Sequence, residues 1–525
     1  MKQTTPPTEQ PTVTNAFSRA AHKKKHAQGL IFDTEKELVE TINKTAALVT
    51  LGSATRYINE HSDGEYDVLT KQAFEDVYAP YQLDVGEKVP KLRAGTKFWL
   101  RSEDRRHYRS IIFDSGQEMS GARSECYNHW RGFPVKPVRG DWSRMRKHIR
   151  EIICRSNLPD YEYLIEWLRD LVQHPGQRPG VAVVLRGKKG AGKSILGDWL
   201  SAMCGRYAVT VSNPKHITGQ FNAHQGGKIL MVSEEATWAG DKIAEGVLKD
   251  LITGKTHLLE RKGVDAIPVA NHLHLIMFTN NDWAVPASED ERRYFVLEID
   301  SKYLDVSPEE SNAYFSSLNE EFENGGLAAM LYDLLHAEPL GIDLRRPPRT
   351  DALAAQKMRS LKPQEKWWRD VVMDCAFRTE ESDGDHPEWE TSPLIISKND
   401  IFDSYRSALG RARGVVPSNT ELGMFLRKNV PGLTEHRTTG ETGRLRVLTF
   451  PPCVELRKAF VEKYGLPEDE WLGAPKPHPT DGSDEDNPFT RAGEQMLWVA
   501  ADPSIRWPVQ PKPLAIWQDD QQNAR

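Results

Sequence analysis

Most of the signals that mark a secreted, disulfide-bonded or membrane protein are missing from this 525-residue chain. Its five cysteines (Cys126, Cys154, Cys204, Cys375 and Cys453) are scattered with no Cys-x-x-Cys pair. That excludes a zinc ribbon and a disulfide framework and points to a reducing cytoplasm. No apolar run approaches the ~18 residues of a membrane-spanning helix, and the polar, proline-containing start does not read as a signal peptide. No membrane partner is expected. An overall positive charge is lacking too, since 69 Lys and Arg stand against 75 Asp and Glu for a net charge of −6. Contact with nucleic acid would have to come from local basic faces. No internal repeat is visible. What the chain does have is length for about three to four domains, and 14 Trp among 38% hydrophobic residues with which to build their cores.

The pattern along the chain changes character several times. Residues 1–34, Thr/Pro/Gln-rich and then basic at His22-Lys23-Lys24-Lys25-His26, read as a disordered tail. Residues 35–135 read as a small α+β domain. A helix-like start at Glu35 to Asn43 is followed by strand-like runs at Ala46–Leu51, Lys97–Leu100 and Tyr108–Phe113. Residues 136–180 turn helical, with Met145, Ile149, Ile152 and Ile153 on one face and Tyr163, Leu164, Trp167 and Leu171 on another. From 181 to 345 strands alternate with helices, the signature of a parallel α/β sheet. Residues 346–360, opening near Arg-Pro-Pro-Arg, read as a linker, 361–470 as a third domain, and 471–525 as a disordered Pro- and Trp-bearing tail.

The chemistry concentrates in 181–345. After the apolar strand Val181–Leu185 comes Gly187-Lys188-Lys189-Gly190-Ala191-Gly192-Lys193-Ser194, then a helix-like run. This is the phosphate-binding G-x-x-x-x-G-K-[ST] pattern in its required strand–loop–helix context. Gly187, Gly190, Ala191 and Gly192 let backbone N–H groups wrap a phosphate, Lys193 reaches the β/γ-phosphates of ATP, and Ser194 offers its hydroxyl to Mg²⁺. A second apolar strand ends in Glu234-Glu235. Glu234 is assigned to the metal and Glu235 to the catalytic base, although spacing alone leaves the two roles exchangeable. Aspartate is commoner at the metal position, so Glu234 is a departure. A third strand, His274–Thr279, ends in Asn280, placed to hold the attacking water. Arg292 and Arg293 directly precede a fourth buried strand and suit an arginine finger acting on a neighbouring subunit's nucleotide, with Arg293 slightly preferred.

Taken in order, GKKGAGKS, ILMVSEEA, MFTNN and ERRYFVL resemble the superfamily 3 helicases, compact AAA+ ATPases of phages, plasmids and DNA viruses. The chain also resembles the helicase domain of phage primase-polymerases of the deep-sea vent phage type, in which a segment like Tyr127–Phe133 likewise precedes the helical part. The likeness is close over roughly 125–300 and looser after 395. It implies a P-loop AAA+-like parallel sheet with a helical collar over 136–180, preceded by the small α+β domain and followed by a winged-helix-like one. It also implies a homo-oligomeric, typically hexameric, ring on single-stranded or forked DNA, gripping phosphates through a hairpin whose turn here carries Arg261 and Lys262.

The C-terminal region fits that outline. Asp400 to Ala412 and a helix capped by Ser418-Asn419-Thr420-Glu421 precede two short strands, the winged-helix order. Arg411, Arg413, Arg427, Lys428, Arg437, Arg444 and Arg446 gather there, favouring DNA over a protein partner. The polymerase half of such proteins would need an acidic pair at the end of a buried strand. Asp383-Gly384-Asp385 lies in a polar loop instead, so a separate primase or polymerase is the expected partner. Two functions remain open: an ATP-dependent replicative helicase of a phage or mobile element, and an ATP-switched DNA-binding initiator or loader. A P-loop small-molecule kinase is disfavoured by the paired arginines and the extra basic domain.

Overall fold

The structure is a computed structural model that describes residues 31–471, apart from 52–53, 63, 87–88, 117–122, 214, 220–221, 235–241, 262–263, 290, 380–381, 411–417 and 441–442. The expected terminal tails therefore lie largely outside the described residues, including the His22–His26 run and the Trp498, Trp507 and Trp517 segment. The chain divides into two compact units between Gly132 and Phe133.

The N-terminal unit is built on the helix Glu35–Asn43, opened by Thr34, whose hydroxyl accepts the Glu37 N–H at 3.2 Å. A four-stranded sheet runs in the order Tyr66–Leu69, Ala54–Glu60, Ala46–Leu51, His107–Tyr108. The expected strand over Lys97–Leu100 is instead part of the helix Gly95–Trp99. Its short apolar run cannot by itself distinguish a strand from one buried helical turn. Trp99 decides the matter: it is fully buried against Phe74, and its indole N–H donates to Asn43 Oδ1 at 2.8 Å.

The larger unit carries a five-stranded parallel sheet flanked by helices on both faces. Across the sheet the order is Ala208–Val211, Leu230–Ser233, His274–Thr279, Ala182–Arg186, Tyr294–Glu298. The strands Leu230–Ser233 and His274–Thr279 are buried at every position, which is why they read as continuous apolar runs without alternation. One face packs Val184, Met231 and Met277 against Leu248 and Leu251 of the helix Lys242–Thr253. On the other face the helix Lys193–Cys204 lies so close that a Cβ on Gly197 would sit 2.5 Å from a Phe278 ring carbon.

Helices precede and follow the sheet. The first are Ser143–Lys147, a π-helical turn His148–Ile153, and Leu158–Gln173; Pro308–Glu321 and Leu327–His336 come after it. Trp142 and Arg146 both donate to Asp333 at 2.7 Å and tie the two groups together. The expected linker 346–360 is a linker only at its start. Asp351–Ser360 is a helix whose Ala352 and Leu353 join the sheet's core and whose Gln356 side chain bonds Ala284 N and Asp282 O. Its apolar face is short and its polar residues are buried, so periodicity did not reveal it. Beyond it, the helices Lys398–Gly410 and Asn419–Asn429 are followed by the antiparallel strands Thr434–Gly440 and Gly443–Phe450, with Leu394–Ser397 on the outer side of the latter. Ser418 and Glu421 form a reciprocal capping box at the second helix. Asp383 and Asp385 are exposed. Among the described residues no helix is long and apolar enough to cross a membrane.

Candidate functional site

All five strands of the sheet are parallel, so their carboxyl ends form one edge and their amino ends the other. Register fixes which residues share the carboxyl edge, because Arg186 pairs with both Thr279 and Glu298, and Ser233 pairs with Met277. The loop after Arg186 leads into the helix Lys193–Cys204. Gly190 and Gly192 adopt φ of +85° and +94° there, backbone that residues with a Cβ rarely adopt. Gly192 has a second reason to be glycine, since a Cβ would lie 2.7 Å from His148 Cε1. At the loop's start, Gly187 N donates to Thr279 O at 3.2 Å, and a Cβ there would meet Ile299 Cγ1 at 2.7 Å. Ala191 is buried beneath the loop and Ser194 is exposed on the first helical turn.

Lys193 turns back into the loop. Its ammonium donates to Gly187 O at 2.7 Å, Lys188 O at 2.6 Å and Asn280 Oδ1 at 2.8 Å. Burial holds its pKa below the ordinary lysine value. Lys193 and Asn280, named from separate motifs 87 residues apart, are thus in direct contact. The strand order makes this possible: His274–Thr279 lies next to Ala182–Arg186, between it and Leu230–Ser233.

Glu234 follows Ser233 and continues the ladder, its N–H donating to Val211 O at 2.9 Å. In a pleat, successive side chains face opposite sides. Val232 faces the Lys193–Cys204 helix, since a Cβ on Gly197 would lie 3.2 Å from its Cγ1, and Glu234 falls on the same side. There it meets Asp198, whose pKa is raised by burial and by the Glu234 charge. The sequence reading passed over Asp198. Its position four residues after Ser194, and so on the same helical face, was the available signal. Glu235 lies outside the described residues.

The arginines are elsewhere. Arg293 precedes the strand Tyr294–Glu298, and its carbonyl accepts from Ala182 N at 2.8 Å, at the amino edge. Five residues at about 3.3 Å each separate it from the phosphate-loop edge, roughly 16 Å, farther than an arginine side chain extends. The structure therefore does not bring Arg292 or Arg293 to the loop of their own chain. The two also differ from one another. Arg293 is paired at 3.3 Å with Glu291, whose fully buried carboxylate also accepts the Arg292 and Arg293 N–H groups. Arg292 is exposed, and its guanidinium makes no hydrogen bond or ion pair with the described residues.

Between these motifs a two-stranded antiparallel hairpin is formed by Thr256–Arg261 and Val264–Ala270. Asn222 fastens one arm, donating to Leu258 O and accepting from Glu260 N, both at 2.8 Å. Pro268 lies opposite Leu258 without ending the strand, as the free edge of a two-stranded ribbon permits. Arg261 closes the first arm, while Lys262 lies outside the described residues.

One further group of metal-type ligands exists among the described residues: Cys375, Glu390 and Cys453, far from the phosphate loop in sequence. Arg457 already fills it, bonding Glu390 through both Nη atoms and Cys375 Sγ at 3.1 Å.

Residues 185–293 match the model of a family described only as a family of unknown function (DUF5906). The DNA primase-polymerase of Nitratiruptor phage NrS-1 is 26% identical over 175 residues, which cover 32% of this chain and 23% of that protein. The chain thus matches about a quarter of the length of this curated relative. An apo structure of the NrS-1 C-terminal region has a TM-score of 0.59 at 16% identity, covering 79% of this chain and 98% of that one. An A-form apo structure of the same region gives the same figures. In fold over most of its length, and distantly in sequence over part of it, the chain is homologous to the C-terminal region of a phage DNA primase-polymerase.

Proposed function

We propose that the chain is an ATP-dependent DNA helicase that serves replication of a phage or mobile element in the bacterial cytoplasm. In this reading it translocates on single-stranded or forked DNA as a homo-oligomeric, hexameric ring of AAA+-like subunits, with 136–180 as a collar and the C-terminal helices and hairpin as a winged helix. Gly187, Gly190, Ala191, Gly192 and Lys193 hold the phosphates of ATP, and Ser194 and Glu234 hold Mg²⁺, which screens the phosphate charge when bound. Glu235 takes the proton from the attacking water and Asn280 orients that water. Arg292 serves the neighbouring subunit's nucleotide, preferred over Arg293 because its guanidinium is not engaged by Glu291. Arg261 and Lys262 grip the DNA backbone, and a separate primase or polymerase supplies synthesis.

The observation that supports this best is the contact of Lys193 with Asn280 at one edge of the sheet, with the arginines at the other. A lysine inside a loop of left-handed glycines, touching a polar tip on the adjacent strand, suits a γ-phosphate sensor. The test is ATP turnover with and without single-stranded DNA, together with displacement of a strand from a forked duplex. DNA-stimulated turnover with displacement is expected. ATP-gated assembly on DNA without displacement would replace the helicase by a switched initiator or loader, and absence of ATP turnover would remove both.

A further inference from the structure

Against the phosphate loop sits a side chain that no motif assigns. His148 opens the π-helical turn His148–Ile153, a form of helix concentrated at functional positions. It is fully buried. Its Nε2 lies 3.2 Å from Gly192 O and its Nδ1 2.9 Å from the Tyr314 hydroxyl. A carbonyl oxygen can only accept, so Nε2 carries the hydrogen. Burial pushes the His148 pKa down to about 4, so the ring is neutral and Nδ1 accepts from Tyr314. Tyr314 is in turn stacked on Tyr303, with ring centroids 3.5 Å apart. Hydroxyl, ring and carbonyl form one directed chain that ends on the loop.

The bond to Gly192 matters because of what the same peptide carries on its other side. In a trans peptide the C=O and the following N–H point in opposite directions. Holding Gly192 O against His148 therefore turns the Lys193 N–H away from the ring. That N–H is the first of the helix Lys193–Cys204 and has no partner within the helix. It belongs to the donors with which a helix N-terminus receives a phosphate. Gly192 is a left-handed glycine, and without such a bond its peptide could rotate at little cost.

We propose that His148 is a positioning residue for nucleoside di- and triphosphates, locking the Gly192–Lys193 peptide so that the Lys193 N–H faces the phosphate, with Tyr314 holding the ring in place through Nδ1. This rests on the nucleotide-binding reading above and adds to it a residue outside the loop.

The test is equilibrium binding of a fluorescent N-methylanthraniloyl-ADP to the full-length chain, with thermal unfolding of each protein measured without nucleotide. His148→Leu keeps bulk and removes the donor; binding should weaken by about tenfold, the loss of one buried hydrogen bond. His148→Gln can donate an amide N–H to Gly192 O, and binding should stay within about threefold of wild type. Tyr314→Phe removes the hydroxyl that holds Nδ1, so the ring is less firmly aimed at Gly192 O, and should weaken binding severalfold with little change in unfolding temperature. Wild-type affinity in Tyr314→Phe overturns the proposal even if His148→Leu does not fold. Equal losses in His148→Leu and His148→Gln, with equal drops in unfolding temperature, overturn it in favour of a packing role. If wild type and Lys193→Ala both fail to bind the probe, the nucleotide reading itself falls, a result distinct from either.

Discussion

At the carboxyl edge of the parallel sheet, Lys193, Glu234 and Asn280 follow three different strands, and Lys193 and Asn280 complete one another within a single chain. At the amino edge, Arg292 and Arg293 stand behind the same strands, braced on buried Glu291 and about 16 Å from their own phosphate loop. In the sequence these residues form one ordered set; in the fold they lie at opposite edges of one sheet. A parallel sheet imposes this, because a motif before a strand and a motif after one cannot share an edge. If the proposed function holds, the carboxyl edge receives the nucleotide and the amino edge would act only on a neighbouring subunit's.

The largest effect should come from breaking that division. Arg292→Ala should bind ATP nearly as wild type and lose about 10³–10⁵ in turnover, the worth of a finger supplied in trans. Lys193→Ala should also be inactive. Mixed under conditions where subunits exchange, the two should recover part of the activity, because one contributes the finger and the other an intact loop. Failure to recover, with exchange demonstrated, would mean the amino edge is not a half-site. Arg293→Ala sharpens the contrast, since it strips the guanidinium from fully buried Glu291 and should lower thermal stability as well as rate. A second mutation acts within the complete edge. Asn280→Ala should cost about 10²-fold in turnover, the scale of losing one preorganised polar contact to developing charge, and mixing should not rescue it any better than Lys193→Ala alone.

The two edges were unequally legible. The alternation of buried runs with helices disclosed a parallel α/β sheet, and the strands Ala182–Arg186, His274–Thr279 and Tyr294–Glu298 lie where the apolar runs do. Strand order left no trace in the sequence, because four of the five strands are buried nearly throughout and any neighbour would satisfy them. The sequence placed Asn280 to hold the attacking water and the arginines toward a neighbouring subunit, but could show neither the direct Lys193–Asn280 bond nor how far the arginines stand from the loop. Local pattern misled where tertiary packing decided. Trp99 drew a short run into a helix, and prolines 347 and 348 obscured the buried helix Asp351–Ser360 behind them. His148 had no local signature either: it shares a helical run with Ile149 and Ile152 and reads as one more core position.

The brace behind the carboxyl edge should respond to acid, because His148 supports the loop as a neutral ring. A histidine with a folded pKa near 4 and an unfolded value of about 6.5 binds its proton first in the unfolded state. Stability from this residue is complete above pH 6.5 and is lost as pH falls toward 4, by about 2 kcal/mol at pH 5. His224, His257 and His272 are also shifted down by burial, so the quantity to measure is the difference between wild type and His148→Gln. Urea unfolding at pH 7 and pH 5 should show a smaller acid loss in the variant. Identical losses would mean that His148 accepts a proton in place, and the loop would then keep its brace in acid.

The smallest expected effect concerns the carboxylates, and it asks whether the carboxyl edge is built for a cation. Each edge has an acid, but in opposite settings. Glu291 is fully buried and shared among three N–H donors. Asp198 is exposed and Glu234 half-buried, and the Glu234 charge raises the cost of the charge on Asp198. Among the described residues neither has an ion-pair partner, and Glu234 accepts only from the Ser212 hydroxyl at 3.3 Å. Two like charges held together without a cation cost free energy that a divalent ion would return. If Mg²⁺ sits between Ser194 and Glu234, Asp198 lies one helical turn beyond the hydroxyl and adds to the field without needing to touch the ion. Asp198→Asn should then raise the Mg²⁺ concentration for half-maximal turnover by about tenfold, the equivalent of one pKa unit of interaction, with turnover at saturating Mg²⁺ close to wild type. Glu234→Gln should raise it further and lower the saturated rate too. An unchanged or lowered Mg²⁺ requirement in Asp198→Asn would show that the pair is only a repulsive contact, and the metal would have to be held by Ser194 and Glu235 instead.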